Sequence, residues 1–552
     1  MLGLMQQQPL LVSSIIRFAA RHHGSAEVIS QNPDFSLHRS SYAEIEQRSR
    51  RLARVLQQQG VRAGDRVATL AWNGWRHLEV YYATSGMGAV CHTVNPRLSL
   101  DDIAYIMNHA ADCVLFADTA FAELVAALAP RIREHVRTVV MMCDAAAMPQ
   151  LALAPGMALG CYETLMATAD DDYAWPEFDE NTASSLCYTS GTTGRPKGVL
   201  YSHRSTLLHA YAFNQPDAFG TRAIDRVVVI APMFHANGWS IPYGAPMAGA
   251  AMILPGRHMD GATLVRLMNA ERGTLASGVP TVWLGVLAHL EASGERLHTL
   301  RRVVCGGSAV PRAMLEGLAK HGVAVQQAWG MTETSPLGST NRPTAATAHL
   351  AGEAAIQHKL NQGHAVFGVD IRIVGPDGAE LPWDGAAFGD LEIRGPWICR
   401  EYYRLGADGA AAPDGWFKTG DVASIDPHGF IALVDRSKDV IKSGGEWISS
   451  ITLENIAVSH PDVAEAAVIA AHHPKWQERP LLLVLPKPGR TIDPAGVLAL
   501  YPGRVAKWWL PDAVLVVDEL PHTATGKLNK LALRRQYQDH LLRGGGLARQ
   551  QA

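Results

Sequence analysis

The chain has 552 residues, enough for several domains and a large buried core, and its formal net charge of -3 gives no electrostatic case for a nucleic-acid partner. Its 7 cysteines (Cys91, Cys113, Cys143, Cys161, Cys187, Cys305 and Cys399) are scattered without a CxxC pair, which argues against a zinc knuckle or disulfide framework and reads as reduced core thiols. The apolar patch from Leu10 to Ile16 is broken by Arg17 before it could span a bilayer, so a cytoplasmic protein is expected, with peripheral membrane contact left open.

Residues 1 to about 60 read as a helical entry, with an amphipathic helix from Tyr42 to Gln58. Short β-rich runs then alternate with helical periodicity. Strand Arg66 to Ala71, helix His77 to Gly86 and strand Ala89 to Thr93 form one set; strand Cys113 to Ala117, helix Ala120 to Glu134 and strand Val136 to Cys143 form the next. This order predicts βαβ crossovers and largely parallel sheets.

The stretch Tyr188 to Gly198, YTSGTTGRPKG, lies between two apolar runs and reads as a loop joining two strands. Its composition suits polyphosphate. Gly191 and Gly194 let backbone N–H groups turn inward, Thr189, Ser190, Thr192 and Thr193 add hydroxyl donors, and Lys197 brings a point charge. Taken alone, the same letters also fit a Gly/Thr surface turn. They do not fit GxxxxGK[ST], because Pro196 precedes Lys197 and Gly198 follows it.

Strand Val227 to Ala231 ends at Pro232 and is followed by His235 and Trp239, where an open α/β sheet places its ligands. Alone, both would read as structural core residues. Strand Arg302 to Cys305 runs into Gly306, Gly307 and Ser308, Pro311 opens a helix, and strand Val323 to Gln326 delivers Gln327, Trp329, Gly330, Thr332 and Glu333. Here the glycines permit close approach, Trp329 offers a flat face to a purine, Thr332 a hydroxyl to phosphate and Glu333 a hard oxygen to Mg2+. Val369 to Val374 and Asp390 to Ile393 alternate as antiparallel strands, and Asp421 follows Gly420 at a turn suited to a ribose diol. Asp435 to Glu454 then carries Arg436, Lys438 and a Lys442-Ser443-Gly444-Gly445 loop that could press bare backbone against a slender ligand. Beyond it come helix Ile451 to Ser459, strands Val463 to Ala470 and Leu481 to Leu485, helix Val497 to Trp508, and Lys527 on a Gly/Thr loop.

Across its whole length the Tyr188 to Gly198 stretch resembles the phosphate loop of the adenylate-forming acyl-CoA synthetase superfamily, and GGEWISS is similar to bacterial medium- and long-chain fatty acid–CoA ligases. The resemblance implies an α/β fold: an AMP-binding domain over 1–435, with βαβ-type sheets and a β-rich subdomain, and a mobile α+β domain over 436–552. It implies an ATP-dependent fatty acid–CoA ligase that forms an acyl-adenylate, releases pyrophosphate and then makes the thioester with CoA. Lys197, Glu333 and Lys527 are matched to catalysis. Thr189, Ser190, Gly191, Thr192, Thr193, Gly194, Gly307, Ser308, Gln327, Trp329, Gly330, Thr332, Asp421 and Arg436 are matched to nucleotide binding, and Glu333 with Thr189 to Mg2+. His235 and Trp239 are matched to the acyl pocket, Gly444, Gly445 and Trp447 to the CoA channel, and Lys438 to the interdomain hinge. Fatty acid, ATP and CoA are the implied partners, and long-chain relatives suggest a homodimer. A short-chain, methylthio or aryl acid is the alternative substrate, and a carrier-protein-loading enzyme, a luciferase-like oxygenase and a silent binder are the rival functions. Gly238, Gly244, Ala245, Ala248 and Gly249 are expected to admit a slim acyl chain.

Overall fold

The structure is a computed structural model, and it describes residues 1, 3–189, 195–406, 412, 414–443, 446–523 and 527–543. Ser190, Gly191, Thr192, Thr193, Gly194, Gly444 and Gly445 lie outside the described residues.

Among the described residues, two large sheets carry the N-terminal body. One has seven strands in the order Ala158–Cys161, Thr138–Met141, Asp112–Ala117, Arg66–Leu70, Val90–Thr93, Ala183–Tyr188 and Gly198–Ser202. It is parallel up to its last pair, where Gly198–Ser202 returns antiparallel to Ala183–Tyr188. The apolar run SSLCY makes a strand buried on both faces, and Tyr188 pairs with Gly198, so the two ends of the glycine-threonine stretch meet. The second sheet has nine strands, its parallel centre formed by Ala324–Gly330, Arg302–Cys305, Leu275–Gly278, Arg226–Val229 and Ala251–Leu254. Helices Val12–His22, Trp75–Gly86 and His203–Phe213 pack into one apolar core that also takes Val28, Cys91 and Val227 from the sheets.

A four-stranded antiparallel sheet, Asp370–Val374, Phe388–Arg394, Phe417–Ile425 and Ile431–Arg436, follows, and then a small α+β unit. In that unit the long pair Val463–His473 and Gln477–Pro486 is flanked by Ala513–Val516 and by the hairpin Ile441–Ser443/Glu446–Ile448, with helix Ser450–Val458 across it. This is the expected α/β class, with large N-terminal sheets and a small C-terminal domain. Among the described residues no helix is long and apolar enough to cross a membrane.

Helix Tyr42–Gln58 spans the residues its periodicity predicts, its start fixed by the capping box of Ser41 and Glu44. Two expectations are corrected. The entry is not all helical: Glu27–Gln31 and Leu37–Ser41 form a hairpin at the edge of the nine-stranded sheet, its turn closed by the Phe35 N–H to the Asn32 carbonyl at 3.0 Å. The helix expected over Val497 to Trp508 stops at Leu498, and only a short 3-10 turn, Lys507–Trp509, follows. Pro502 and Gly503, the latter at φ 80°, interrupt it.

Candidate active site

Strand ends and loops of the N-terminal body and residues of the small domain together line one cavity of about 580 Å³. Strand Ala324–Gly330 changes partner midway: it runs parallel to Arg302–Cys305 through Gln327 and antiparallel to Leu337–Thr340 from Ala328. The switch turns Trp329, Gly330 and the following Thr332 and Glu333 into the cavity wall. A Cβ on Gly306 would stand 2.7 Å from the Ala328 carbonyl oxygen, so glycine is what allows the neighbouring loop to come this close.

Lys197 is anchored through its backbone. Its N–H donates to Thr189 Oγ1 at 3.2 Å, and its carbonyl accepts from the Thr189 N–H at 2.9 Å. Its ammonium lies 4.8 Å from the centre of the Tyr402 ring, whose hydroxyl donates to Glu333 Oε1 at 2.5 Å. Glu333 is 5 % exposed, and burial raises its pKa against the lowering effect of Tyr402. A buried carboxylate held in this way has the hard-oxygen chemistry for a divalent cation, whose charge would offset the cost of burial. Among the described residues no group of three or more His, Cys, Asp or Glu is placed to hold a metal, so a cation here would draw its other ligands from hydroxyl, phosphate and water oxygens.

Asp421, 3 % exposed, is gripped from two sides. Arg436 Nε lies 2.7 Å from Oδ1, and the Trp329 indole N–H donates to Oδ2 at 2.9 Å. Asp421, Gln327 and Ser308 are not part of the cavity lining, although Gly420 and Arg436 beside Asp421 are. Gln327 is buried and donates to the Lys359 carbonyl at 2.8 Å, while Ser308 is exposed. Trp447 is also outside it, packed 5.7 Å from the Phe388 ring.

Lys527, which the resemblance matched to catalysis, lines the cavity, its Cε 3.9 Å from the point a Gly307 Cβ would occupy. Burial, reinforced by Arg436, lowers its pKa to about 8, with Asp421 and Glu333 opposing. His235 lines the same wall, and burial, with Lys527 and Arg97 adding to it, lowers its pKa to about 4, so it is neutral at physiological pH. Trp239 closes against the Gly306-Gly307 turn from a left-handed stretch in which Ala236, Asn237, Trp239 and Ser240 have φ between 36° and 64°. Such backbone costs on the order of 1–3 kcal/mol per residue. It is held by the Asn237 side chain, which donates to Ser185 Oγ and accepts from Thr93 Oγ1 at 2.9 Å.

The small residues expected to leave an acyl tunnel do not. A Cβ on Gly244 would meet Phe213 at 2.5 Å, one on Gly249 would meet His23 at 2.3 Å, and one on Gly238 would meet Pro242 at 3.0 Å. Besides Trp239, the apolar part of the cavity lining includes Leu337, Pro336 and the pair Phe213 and Phe219, stacked at 3.9 Å. The latter four residues, together with Tyr402, Arg195 and Lys530, escaped the reading of the letters. Tyr402 is 69 positions from Glu333, and no local pattern marks such a contact.

Residues 16–403 match the family model for AMP-binding enzyme, and residues 452–527 the model for its C-terminal domain. The chain is 50% identical over 545 residues to the 3-methylmercaptopropionyl-CoA ligase of Ruegeria lacuscaerulensis, covering 98% of this chain and 100% of the relative. It is 46% identical to the medium-chain-fatty-acid–CoA ligase of Ectopseudomonas oleovorans, covering 98% and 99%. In fold it matches the crystal structure of an anthranilate CoA ligase in complex with anthranoyl-AMP at a TM-score of 0.85 and 23% identity, covering 97% and 99% of the two chains. With phosphate-loop flanks, a buried carboxylate and a lysine from the small domain around one cavity, the chain belongs to the AMP-binding enzyme family and is an adenylate-forming acid–CoA ligase.

Proposed function

We propose that the acid is a slim, uncharged aliphatic one, with medium-chain fatty acids as the main substrate class. The single observation that carries this is the apolar share of the cavity lining, in which Trp239, Pro336, Leu337 and the stacked Phe213–Phe219 pair offer an acid no charged partner, while the charged residues of the lining, such as Lys197, Glu333, Arg436 and Lys527, suit the nucleotide. A thioether acid such as 3-methylmercaptopropionate is the second reading, favoured by the 50% identity to a ligase of that name.

In the first half-reaction a carboxylate oxygen attacks the α-phosphorus of ATP and the bond to pyrophosphate breaks. The repulsion between the two anions must be cancelled, and Lys527 and Lys197 supply positive charge, with Thr189, Thr332 and residues 190–194 holding phosphate oxygens. Mg2+, held by Glu333 and Thr189, would neutralise charge on the same phosphates. Asp421 and Arg436 take the ribose, with Trp329, Gly330 and Gly307 around the nucleotide. Ser308 and Gln327 act on the nucleotide only through the loops they support. In the second half-reaction the CoA sulfur attacks the acyl carbon, its proton passes to solvent and AMP leaves. For this we assign 1–435 and 436–552 as bodies that rotate about Lys438, exchanging Lys527 for the hairpin that carries Gly444, Gly445 and Trp447.

The test is CoA-dependent AMP formation across straight-chain acids from acetate to palmitate, with 3-methylmercaptopropionate and benzoate alongside. Each added methylene is worth about 0.8 kcal/mol, so kcat/KM should climb roughly fourfold per carbon until the chain meets the phenylalanine pair. A flat profile, or preference for benzoate, overturns the proposal.

A further inference from the structure

The segment Trp476–Pro480 takes no part in the nucleotide cavity. It opens strand Gln477–Pro486, and Gln477 pairs with Ser443, the last residue of Ile441–Ser443. Two side chains strengthen that junction. The Glu478 carboxylate accepts from the Lys442 N–H at 2.7 Å. Arg479, 6 % exposed, donates to Ser443 Oγ at 3.2 Å, to the Leu510 carbonyl at 3.0 Å and, through two nitrogens, to Asp512 Oδ1 at 2.9 and 2.7 Å, and it also donates to the Trp508 carbonyl. One rigid guanidinium fork thus ties the hairpin strand to the 508–512 segment, a geometry that lysine cannot reproduce.

We propose that Arg479 and Glu478 are positioning residues for thioester formation, fixing the hairpin Ile441–Ser443/Glu446–Ile448 in register on the small domain. This rests on the proposed assignment of that hairpin to the CoA channel. Adenylation has no need of the brace, because neither side chain lines the cavity.

The full-length variants Arg479→Lys and Glu478→Ala are assayed in two ways: acid-dependent ATP–pyrophosphate exchange, and thioester formation from supplied acyl-adenylate over a range of CoA. Exchange should stay near the parent value while KM for CoA rises roughly tenfold for Arg479→Lys and several-fold for Glu478→Ala, the scale of a lost charged hydrogen bond. Equal loss in both assays, or an unchanged KM for CoA, overturns the positioning role. If Arg479→Lys does not fold, the half-buried Glu478 variant decides. Gly445→Val separates the two layers of argument. If it leaves thioester formation intact, the channel assignment itself falls and takes the inference with it; if it blocks the step while both brace variants behave as parent, only the positioning role falls.

Discussion

Lys527 shows how a residue's surroundings change its chemistry. As a letter on a Gly/Thr loop it is an ordinary surface lysine, but in the fold burial, together with Arg436, brings its pKa to about 8. The ammonium form is the one that can neutralise phosphate, so kcat/KM for ATP in adenylation should fall as pH rises through about 8, and Lys527→Arg should move that limb upward. Lys527→Ala should abolish adenylate formation and spare thioester formation from supplied acyl-adenylate; parallel loss of both would refute its assignment to one half-reaction. Glu333 was legible as an oxygen ligand, but the Tyr402 hydroxyl that holds it comes from a distant loop and had no signal in the sequence.

Among the elements, strands with an apolar run such as Arg302–Cys305, or a clear alternation such as Asp370–Val374, were readable to within a residue or two, because either pattern leaves one solution. Where a proline and a glycine can either sit inside a helix or end it, as Pro502 and Gly503 can, the letters were ambiguous, and residues 497–508 fell the wrong way. The acyl wall is a similar case: a run of small residues on helix Ile241–Ala248 looked like a tunnel until helix His203–Phe213 placed Phe213 in the gap. Phe219→Ala should therefore shift the preferred acid to longer chains in the substrate series, at a stability cost of about 3–5 kcal/mol from the cavity left behind. Within the small domain, Lys530 Nζ lies 2.7 Å from Glu454 Oε1, and burial raises the Glu454 pKa to about 7. Removing its partner in Lys530→Met should destabilise the domain by about 3–5 kcal/mol at about pH 8. A carboxylate whose folded pKa is raised is least costly in acid, so urea unfolding at about pH 5 should show a much smaller deficit.

Taken as a whole, the molecule has its cavity walls split between two bodies, and contacts such as the Ser450 N–H to Asp435 Oδ2 at 2.7 Å cross the assigned boundary at residue 435. Lys438→Pro should stiffen that boundary, leaving ATP–pyrophosphate exchange active and thioester formation strongly reduced; normal overall turnover would place the hinge elsewhere. By itself the sequence determined the enzyme class, the alternation of strands and helices and the groups able to handle phosphate, because glycine, hydroxyl and charge patterns act locally and survive as letters. Only the tertiary structure decided that Lys527 is buried, what holds Glu333 and which aromatic rings line the cavity. Those outcomes depend on side chains far apart along the chain competing for the same volume, and no spacing rule records that competition.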